Sequence, residues 1–474
     1  MTRRFMAGFM VSAAWRSSGK TTVACGLAAA LARRELAVQP FKKGPDFIDP
    51  QWLSLAAGRA CRNLDLHLQG ALGVDDYWRR YAAAADVALI EGNLGLHDGL
   101  ALDGSDSNAT LARRLGVPVV IVLDARGMNR GVAALLMGLA AFDPQVRIAG
   151  VVLNRVAGAR HEEKLRAAIE ALTPLAVLGA LGEDPRLAIV ERHLGLVPAN
   201  EAGDAAARVR VLGDAIEANV NVGAILAAGA SSLAERPPAI VAARPAPGAP
   251  RIGIARDRAF GFYYPDDLDA LRAAGAVLVP FDTIHGARLP EVDALFLGGG
   301  FPETLAAELE ANAAMRGEIA AAIERGLPVY AECGGLMYLA RSITMNGRTH
   351  RMVGAIPADA VMHAKPVGKG YVTLAETASH PWAGGRPVQA HEFHYSTLVN
   401  VDRGVRYAYR VLRGHGIDGE HDGIVHRNVL ASYAHQRSVG GNDWAARFVA
   451  CVRETVAGGR EVARPVPITE EMQP

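Results

Sequence analysis

The sequence predicts an α/β protein built as two domains in tandem. Three observations carry that expectation. At 474 residues the chain exceeds what one hydrophobic core usually serves. Short apolar runs alternate with helical patterns in both halves, and the runs are continuous, as strands of a parallel sheet covered on both faces require. Between the halves lies ERPPAIVAARPAPGAP, whose prolines remove backbone donors and stiffen the chain, so it reads as a linker.

In the first half the strands are expected at Phe5–Val11, Ala37–Phe41, Asp86–Ile90, Val117–Leu123 and Ile148–Leu153, each followed by a loop and a helix-like segment. A second series falls at Arg251–Ala255, Ala276–Pro280, Asp293–Leu297 and Leu327–Ala331, with a helical stretch, Pro302–Arg325, before the last. The expected boundaries are a first domain at 1–232, a linker at 233–250, a second domain at 251–457 and a Pro- and charge-rich tail at 458–474. Abundant Gly and Ala let helices lie close on a sheet. A formal net charge of +1 offers no field to recruit nucleic acid or a membrane surface. The four cysteines, Cys25, Cys61, Cys333 and Cys451, form no Cys-x-x-Cys pair, which fits reduced thiols in a cytoplasmic protein. The N-terminal run MTRRFMAGFMVSAAW resembles a signal peptide but leads straight into Ser-Ser-Gly-Lys-Thr-Thr, so it reads as a first core strand. No uncharged apolar stretch reaches membrane-spanning length.

After the first strand, Ala14-Trp-Arg-Ser-Ser18-Gly19-Lys20-Thr21-Thr22 opens an amphipathic helix. The residue types suit a P-loop: Gly19 lets backbone N–H groups approach phosphate, Lys20 neutralises its oxygens, and Thr21 offers a hydroxyl to Mg²⁺. The second strand ends in Lys42-Lys-Gly-Pro-Asp46-Phe-Ile-Asp49-Pro, charges placed where open α/β sheets bind ligands. The strand Asp86–Ile90 runs into Glu91, the acid expected to hold Mg²⁺ opposite a P-loop, and on to His97 and Asp98. Asp98 is a candidate for metal or substrate; a loop His such as His97 is most simply hydrogen-bonded and gets no role. Asn154 carries both donor and acceptor and is a weak candidate reader of an adenine edge.

In the second half, the strand Leu327–Ala331 delivers Glu332-Cys333-Gly334-Gly335 to a helix-like segment, Leu336–Arg341. A thiol on a glycine-flanked strand-to-helix turn is a nucleophile elbow. A helix N-terminus is expected to lower the thiol pKa, and the Gly334 N–H to face a developing oxyanion. Gly299 and Gly300, after another strand, are candidates for the second oxyanion donor. The nucleophile needs a base, and His435 in Ser-Tyr-Ala-His is the candidate. Cys25 and Cys451 read as small core residues, and Cys61 has no visible base.

With both halves described, the chain resembles the cobyrinic acid a,c-diamide synthase family. The resemblance rests on the P-loop, Lys-Lys-Gly-Pro-Asp-Phe-Ile-Asp-Pro, Glu-Gly-Asn-Leu-Gly-Leu-His-Asp-Gly, the segment Ala259–Leu268, Gly-Gly-Gly-Phe-Pro-Glu, Glu-Cys-Gly-Gly, Glu392-Phe-His-Tyr-Ser396 and Ser-Tyr-x-His. It implies a dethiobiotin-synthetase-like ATP domain and a class I glutamine amidotransferase domain. The implied activity is ATP- and glutamine-dependent amidation of the a and c acetates of a tetrapyrrole, through an acyl phosphate and ammonia released at Cys333. Carried onto this sequence, Lys20 and Lys42 neutralise phosphate; Thr21, Glu91 and Asp46 hold Mg²⁺; and Asp49 and Asp98 orient substrate or metal. The partners implied are the tetrapyrrole carboxylate, glutamine and ATP, with a homodimer as one compatible assembly. The segment Phe260–Asp267 is expected to face the tetrapyrrole.

Departures from the pattern leave alternatives open. Trp15 stands where partition-type ATPases carry a signature lysine. Arg437 stands two positions after His435, where the common triad has Glu, so another group must orient the imidazole, and Glu392 is a candidate. Sirohaem and nickel-sirohydrochlorin are alternative acceptors, as are other corrin side chains in the manner of a cobyric acid synthase. A P-loop switch ATPase with a non-catalytic second domain is the alternative from a different class.

Overall fold

The computed structural model describes residues 5–189, 191–192, 195–232, 246 and 248–458. The linker expected at 233–250 lies almost wholly outside the described residues, and the tail does so beyond its first residue, Gly458. The chain divides between Val241 and Ala242 into two compact units.

In the first unit β1 (Phe5–Ala13), β2 (Val38–Lys43), β3 (Arg62–Leu64), β4 (Val87–Glu91), β5 (Val119–Asp124), β6 (Ile148–Val156) and β7 (Val177–Gly182) lie parallel in the order β3-β2-β4-β1-β5-β6-β7. A short strand, β8 (Ala230–Ser232), joins β1 antiparallel. Successive residues of a strand face opposite sides, so the sheet feeds two cores. Phe9, Val11, Leu89 and Val122 meet Val23 and Leu27 of α1 (Lys20–Arg33). Met10, Ile90 and Ile121 meet Trp78 and Leu111 on the other side. The strands end one to three residues later than their apolar runs predict. Lys42, Lys43, Glu91 and Asp124 are therefore strand residues whose backbone is paired, rather than loop residues beyond the sheet. The short β3 and the Gly-rich β7 were not legible as strands.

In the second unit the strands β9 (Arg251–Ala255), β10 (Phe260–Phe262), β11 (Val277–Phe281), β12 (Ala294–Leu297), β13 (Gly299–Gly300) and β14 (Val329–Glu332) come first, and α2 (Gly334–Leu339) follows β14. The strand β15 (Val429–Ser432) returns beside β14, in parallel, and β9, β11 and β12 continue the parallel part. The expected helix Pro302–Arg325 is broken into a 3₁₀ turn, Pro302–Leu305, and helices Ala306–Ala311 and Ala313–Glu324. Asn312 makes the break: its Oδ1 accepts from Met315 N, and its Nδ2 donates to the carbonyls of Thr283, Ile284 and Gly286.

The larger surprise is the segment 342–426, which holds strands where no element was expected. Gly368–Glu376, Val388–His394, Arg406–Arg413 and His421–His426 extend the main sheet antiparallel to nine strands. Ser342–Met345, Arg348–Arg351, Asp359–Met362 and Ser396–Val399 make a separate four-stranded sheet. Most of these strands are part-exposed, and the mostly buried Val388–His394 and His421–His426 carry polar residues such as His391, Glu392 and Asp422, which weakens the continuous apolar signal that marks buried parallel strands.

One close approach in the first unit is testable. A Cβ on Gly26 of α1 would lie 2.4 Å from Ile216 Cγ1 and 2.8 Å from the Leu212 carbonyl oxygen. Overpacking of this kind costs about 1–3 kcal/mol. Gly26→Val is therefore expected to lower the thermal midpoint of the first unit in calorimetry, and an unchanged midpoint would show that the helix Ala205–Asn219 can part freely from α1.

Candidate functional site

The P-loop closes β1 onto α1, which begins at Lys20. Its backbone is left-handed at Ser17 (φ 61°) and Gly19 (φ 94°). A Cβ on Gly19 would sit 2.1 Å from Asn154 Nδ2, so only glycine fits. Asn154 Nδ2 donates to the Ser18 carbonyl at 2.9 Å, and Arg155 Nη1 donates to the Ser17 carbonyl at 3.0 Å. The end of β6 thus clamps the loop from below, and the Asn154 amide nitrogen proposed for an adenine edge is engaged by the P-loop. Ser18 Oγ turns back to the Trp15 carbonyl, and Thr22 Oγ1 points to the Leu187 carbonyl at 3.5 Å. Lys20 Nζ reaches the Leu94 carbonyl at 2.6 Å.

Beside the loop the parallel register sets Lys42 of β2 against Glu91 of β4. Lys42 Nζ lies 2.5 Å from Asp49 Oδ2, 3.1 Å from Glu91 Oε1 and 3.9 Å from Asp46 Oδ2. Thr21 Oγ1 donates to Glu91 Oε1 at 2.6 Å. The expected phosphate and metal residues therefore meet in one cluster. Asp98 accepts from Gly95 N at 3.0 Å within its own loop, and its charge acts on Lys20. His97 bonds the Leu139 carbonyl, in keeping with a loop histidine.

Burial opposes the Lys42 ammonium, but the carboxylates of Asp49, Glu91 and Asp46 outweigh it and hold its pKa well above the usual value. Burial pushes Glu91 up to about 7 against the pull of Lys42, and burial with the Asp49 charge pushes Asp46 up to about 6. Burial, then the charge of Lys42, brings Lys20 down to about 8. Glu91 Oε2 is buried without a hydrogen-bond partner among the described residues. Together with the Thr21 hydroxyl beside Oε1, that oxygen fits a divalent cation completed by phosphate oxygens. Mg²⁺ is commonly held by one or two protein oxygens together with phosphate.

In the second unit Cys333 follows β14 and caps α2 with φ 46° and ψ −97°, a strained conformation for a residue with a Cβ. Its Sγ lies 4.0 Å from the Phe393 carbonyl oxygen. The glycines converge on the same place: a Cβ on Gly299 would lie 2.6 Å from His435 Cε1, and one on Gly334 would lie 3.0 Å from Gly300 N. The strand β15 brings the Ser-Tyr-Ala-His segment alongside β14, with Ser432 opposite Glu332. Asp422 fixes that segment by accepting from Ser432 Oγ, Tyr433 N and Ala434 N, each at 3.0 Å.

Two expectations need correction. The Cys333 thiol is pushed up rather than down, because burial and the carboxylates of Glu303, Glu332 and Asp422 outweigh the favourable Gly334 N–H. Glu392 does not orient His435: its two oxygens accept from His415 N at 2.7 Å and Gly416 N at 2.8 Å. In the segment Phe260–Asp267, three polar side chains have partners in the second unit. Tyr264 OH meets His391 Nδ1 at 3.3 Å, Asp266 pairs with the buried Arg437, and Asp267 accepts from Ser438 N and Trp444 Nε1.

Two residues that the sequence reading passed over lie against His435. Glu332 Oε2 is 3.3 Å from His435 Nδ1. His391 stacks on the imidazole with ring centroids 5.0 Å apart, and the two backbones pair in both directions. The Glu332 position, directly before the nucleophile at a strand end, was the available signal. His391 had none, since its strand was not foreseen.

A P-loop nucleotide site and a Cys–His site at the carboxyl ends of two α/β sheets, on one chain, define a glutamine-hydrolysing carbon–nitrogen ligase. Residues 17–197 match the CobQ/CobB/MinD/ParA nucleotide binding domain, and residues 251–442 match the CobB/CobQ-like glutamine amidotransferase domain. A cobyrinate a,c-diamide synthase of Magnetococcus marinus is 47% identical over 92% of this chain and 96% of its own length. That of Methanosarcina acetivorans is 40% identical over 93% of this chain and 94% of its own. The chain belongs to the cobyrinate a,c-diamide synthase family. Among solved structures, PurLQS from Thermotoga maritima covers 44% of this chain at 17% identity and a TM-score of 0.34, a likeness too weak to carry an argument. No helix among the described residues is long and apolar enough to cross a membrane.

Arg437, at the position where a triad acid was sought, is buried against Asp266. Removing one member of such a pair costs about 3–5 kcal/mol, because the other charge is left buried and uncompensated. Arg437→Met is expected to destabilise the second unit by that order in denaturant unfolding, and Asp266→Asn added to it to recover most of the loss. Equal stability of Arg437→Met and the unsubstituted chain would contradict a structural ion pair.

Proposed function

We propose that this chain amidates the a and c acetate carboxylates of cobyrinate, using Mg-ATP and glutamine, in the cytoplasm. The observation that carries the reading is that the Thr21–Lys42–Glu91 cluster beside the P-loop and the Cys333–His435 site occur on one chain. The relatives covering nearly all of it are named for cobyrinate, which favours that acceptor over sirohaem or nickel-sirohydrochlorin. The match of the second unit to a glutamine amidotransferase domain disfavours a switch ATPase with a non-catalytic partner module.

In this reading residues 1–232 form the amidoligase unit and 251–457 the glutaminase. The P-loop N–H groups with Ser18, Gly19, Lys20 and Thr22 hold the phosphates, and Asn154 acts through the loop it clamps. Thr21 and Glu91, with Asp46 close by, would hold Mg²⁺, which when bound neutralises phosphate charge. Lys42, kept charged by its carboxylate neighbours, faces the same oxygens. Asp49 and Asp98 orient the substrate. A carboxylate oxygen of the macrocycle attacks the γ-phosphorus, and the bond to ADP breaks, leaving an acyl phosphate. At the other site Cys333 Sγ attacks the glutamine amide carbon while His435 takes the thiol proton. The oxyanion is held by N–H groups around Gly299, Gly300 and Gly334. The raised thiol pKa favours a thiol that passes its proton to His435 as it attacks. His435 returns the proton to departing ammonia, water cleaves the thioester to glutamate, and ammonia displaces phosphate from the acyl carbon.

Mass spectrometry of cobyrinate after incubation with Mg-ATP and glutamine is the direct test, with stepwise replacement of two carboxylate OH groups by NH₂ expected. An unchanged macrocycle alongside glutamine hydrolysis would show that the acceptor is another acid. Cys333→Ala is expected to abolish amidation from glutamine while high ammonium still supports it. Lys20→Ala is expected to block amidation from either nitrogen source; full turnover by that variant would remove the P-loop from the mechanism.

A further inference from the structure

The sequence places no acid two residues after His435, yet the imidazole is not without a carboxylate. The strand β14 ends in Glu332, and Cys333 follows it directly. A strand sends successive side chains to opposite faces. The sharp turn at Cys333 (φ 46°) breaks that alternation, and the Glu332 side chain lies against His435. Glu332 is 2% exposed, and its environment fixes the direction of each oxygen. Oε1 accepts from Tyr330 OH at 2.8 Å and from Gln436 N at 3.0 Å, and Oε2 faces His435 Nδ1 at 3.3 Å. Tyr330 is itself held by Gln436 Nε2 at 3.0 Å, and the same amide donates to Tyr409 OH at 2.7 Å. The carboxylate is thus locked by a buried chain of donors, and the residue after His435, Gln436, supplies three of the links.

Glu303 acts on the Cys333 thiol through its charge, and four other acids of this unit have partners of their own. Asp422 holds the backbone of Ser432–Ala434, Glu392 holds His415 and Gly416, and Asp266 and Asp267 hold Arg437, Ser438 and Trp444. His391 packs on the face of the imidazole and limits its tilt.

We propose that Glu332 is the positioning residue of the glutaminase site, orienting His435 through Nδ1 in place of an acid downstream of the histidine. This rests on Cys333 and His435 being the glutamine-hydrolysing pair. A carboxylate on Nδ1 selects the tautomer carrying its proton there, presents the opposite ring nitrogen to the thiol, and stabilises the imidazolium formed when the thiol is deprotonated. The role lies in the transition state, so its loss falls on kcat rather than on glutamine KM.

The test compares Glu332→Gln, Glu332→Asp and Cys333→Ala in the full chain, each assayed for cobyrinate amidation with glutamine and with high ammonium. Glu332→Gln is expected to lower kcat with glutamine by about 10²–10⁴-fold with little change in glutamine KM. Its turnover with ammonium is expected to stay within about twofold of the unsubstituted enzyme, and Glu332→Asp to recover part of the lost kcat. The proposal is overturned if Glu332→Gln keeps its glutamine kcat, if its loss falls on KM alone, if ammonium-dependent turnover falls in parallel, or if Glu332→Asp is no better than Glu332→Gln. Retention of glutamine use by Cys333→Ala would instead overturn the underlying assignment of the nucleophile.

Discussion

Both sites depend on one constraint, the register of parallel strands at the carboxyl end of a sheet. In the first unit, pairing of β2 with β4 aligns Lys42 with Glu91, and pairing of β1 with β4 aligns Val11 with Glu91. The P-loop that leaves β1 is thereby delivered beside both charges. In the second unit, pairing of β14 with β15 aligns Glu332 with Ser432 and so sets the distance from Cys333 to His435. A slip of one residue in either pairing would turn the functional side chains to the wrong face. The hydrophobic residues that hold the register are the same ones that fill the cores, so packing and chemistry are not separable at these strand ends.

Electrostatics then gives the two sites different characters. The nucleotide site gathers the buried ammonium groups of Lys20 and Lys42 with three carboxylates, those of Glu91 and Asp46 driven towards neutrality by burial. Such a cluster is costly by itself and is relieved by a charged ligand, which is the behaviour wanted where phosphate and a divalent cation arrive together. At the Cys333 site desolvation and nearby carboxylates raise the thiol pKa, and the histidine packs between a ring and a carboxylate. Reactivity there is a matter of geometry, released when a substrate carbonyl meets Cys333.

Much of the parallel architecture was legible because buried parallel strands leave continuous apolar runs, and because glycines mark the turns that follow them. The P-loop, the Lys42–Asp49 segment, Glu91 and the Cys333 elbow were all visible on that basis. The antiparallel region 342–426 was not, since its strands are part-exposed or carry polar residues and are separated by turns without a strong motif. That loss mattered: His391 comes from one of those strands, and Glu392 in the same strand drew attention away from Glu332. The thiol pKa was misjudged for a related reason. A helix N-terminus can be read from sequence, whereas burial and three carboxylates distant along the chain cannot.

The central claim is that the carboxylate of the acceptor is activated by phosphoryl transfer at the Lys42–Glu91 cluster before ammonia attacks. Its most direct test is to amidate cobyrinate carrying ¹⁸O in its carboxylates and to analyse the inorganic phosphate by mass spectrometry. An acyl phosphate requires one labelled oxygen in phosphate for each amide formed. Phosphate free of label, with amide still produced, would contradict the account.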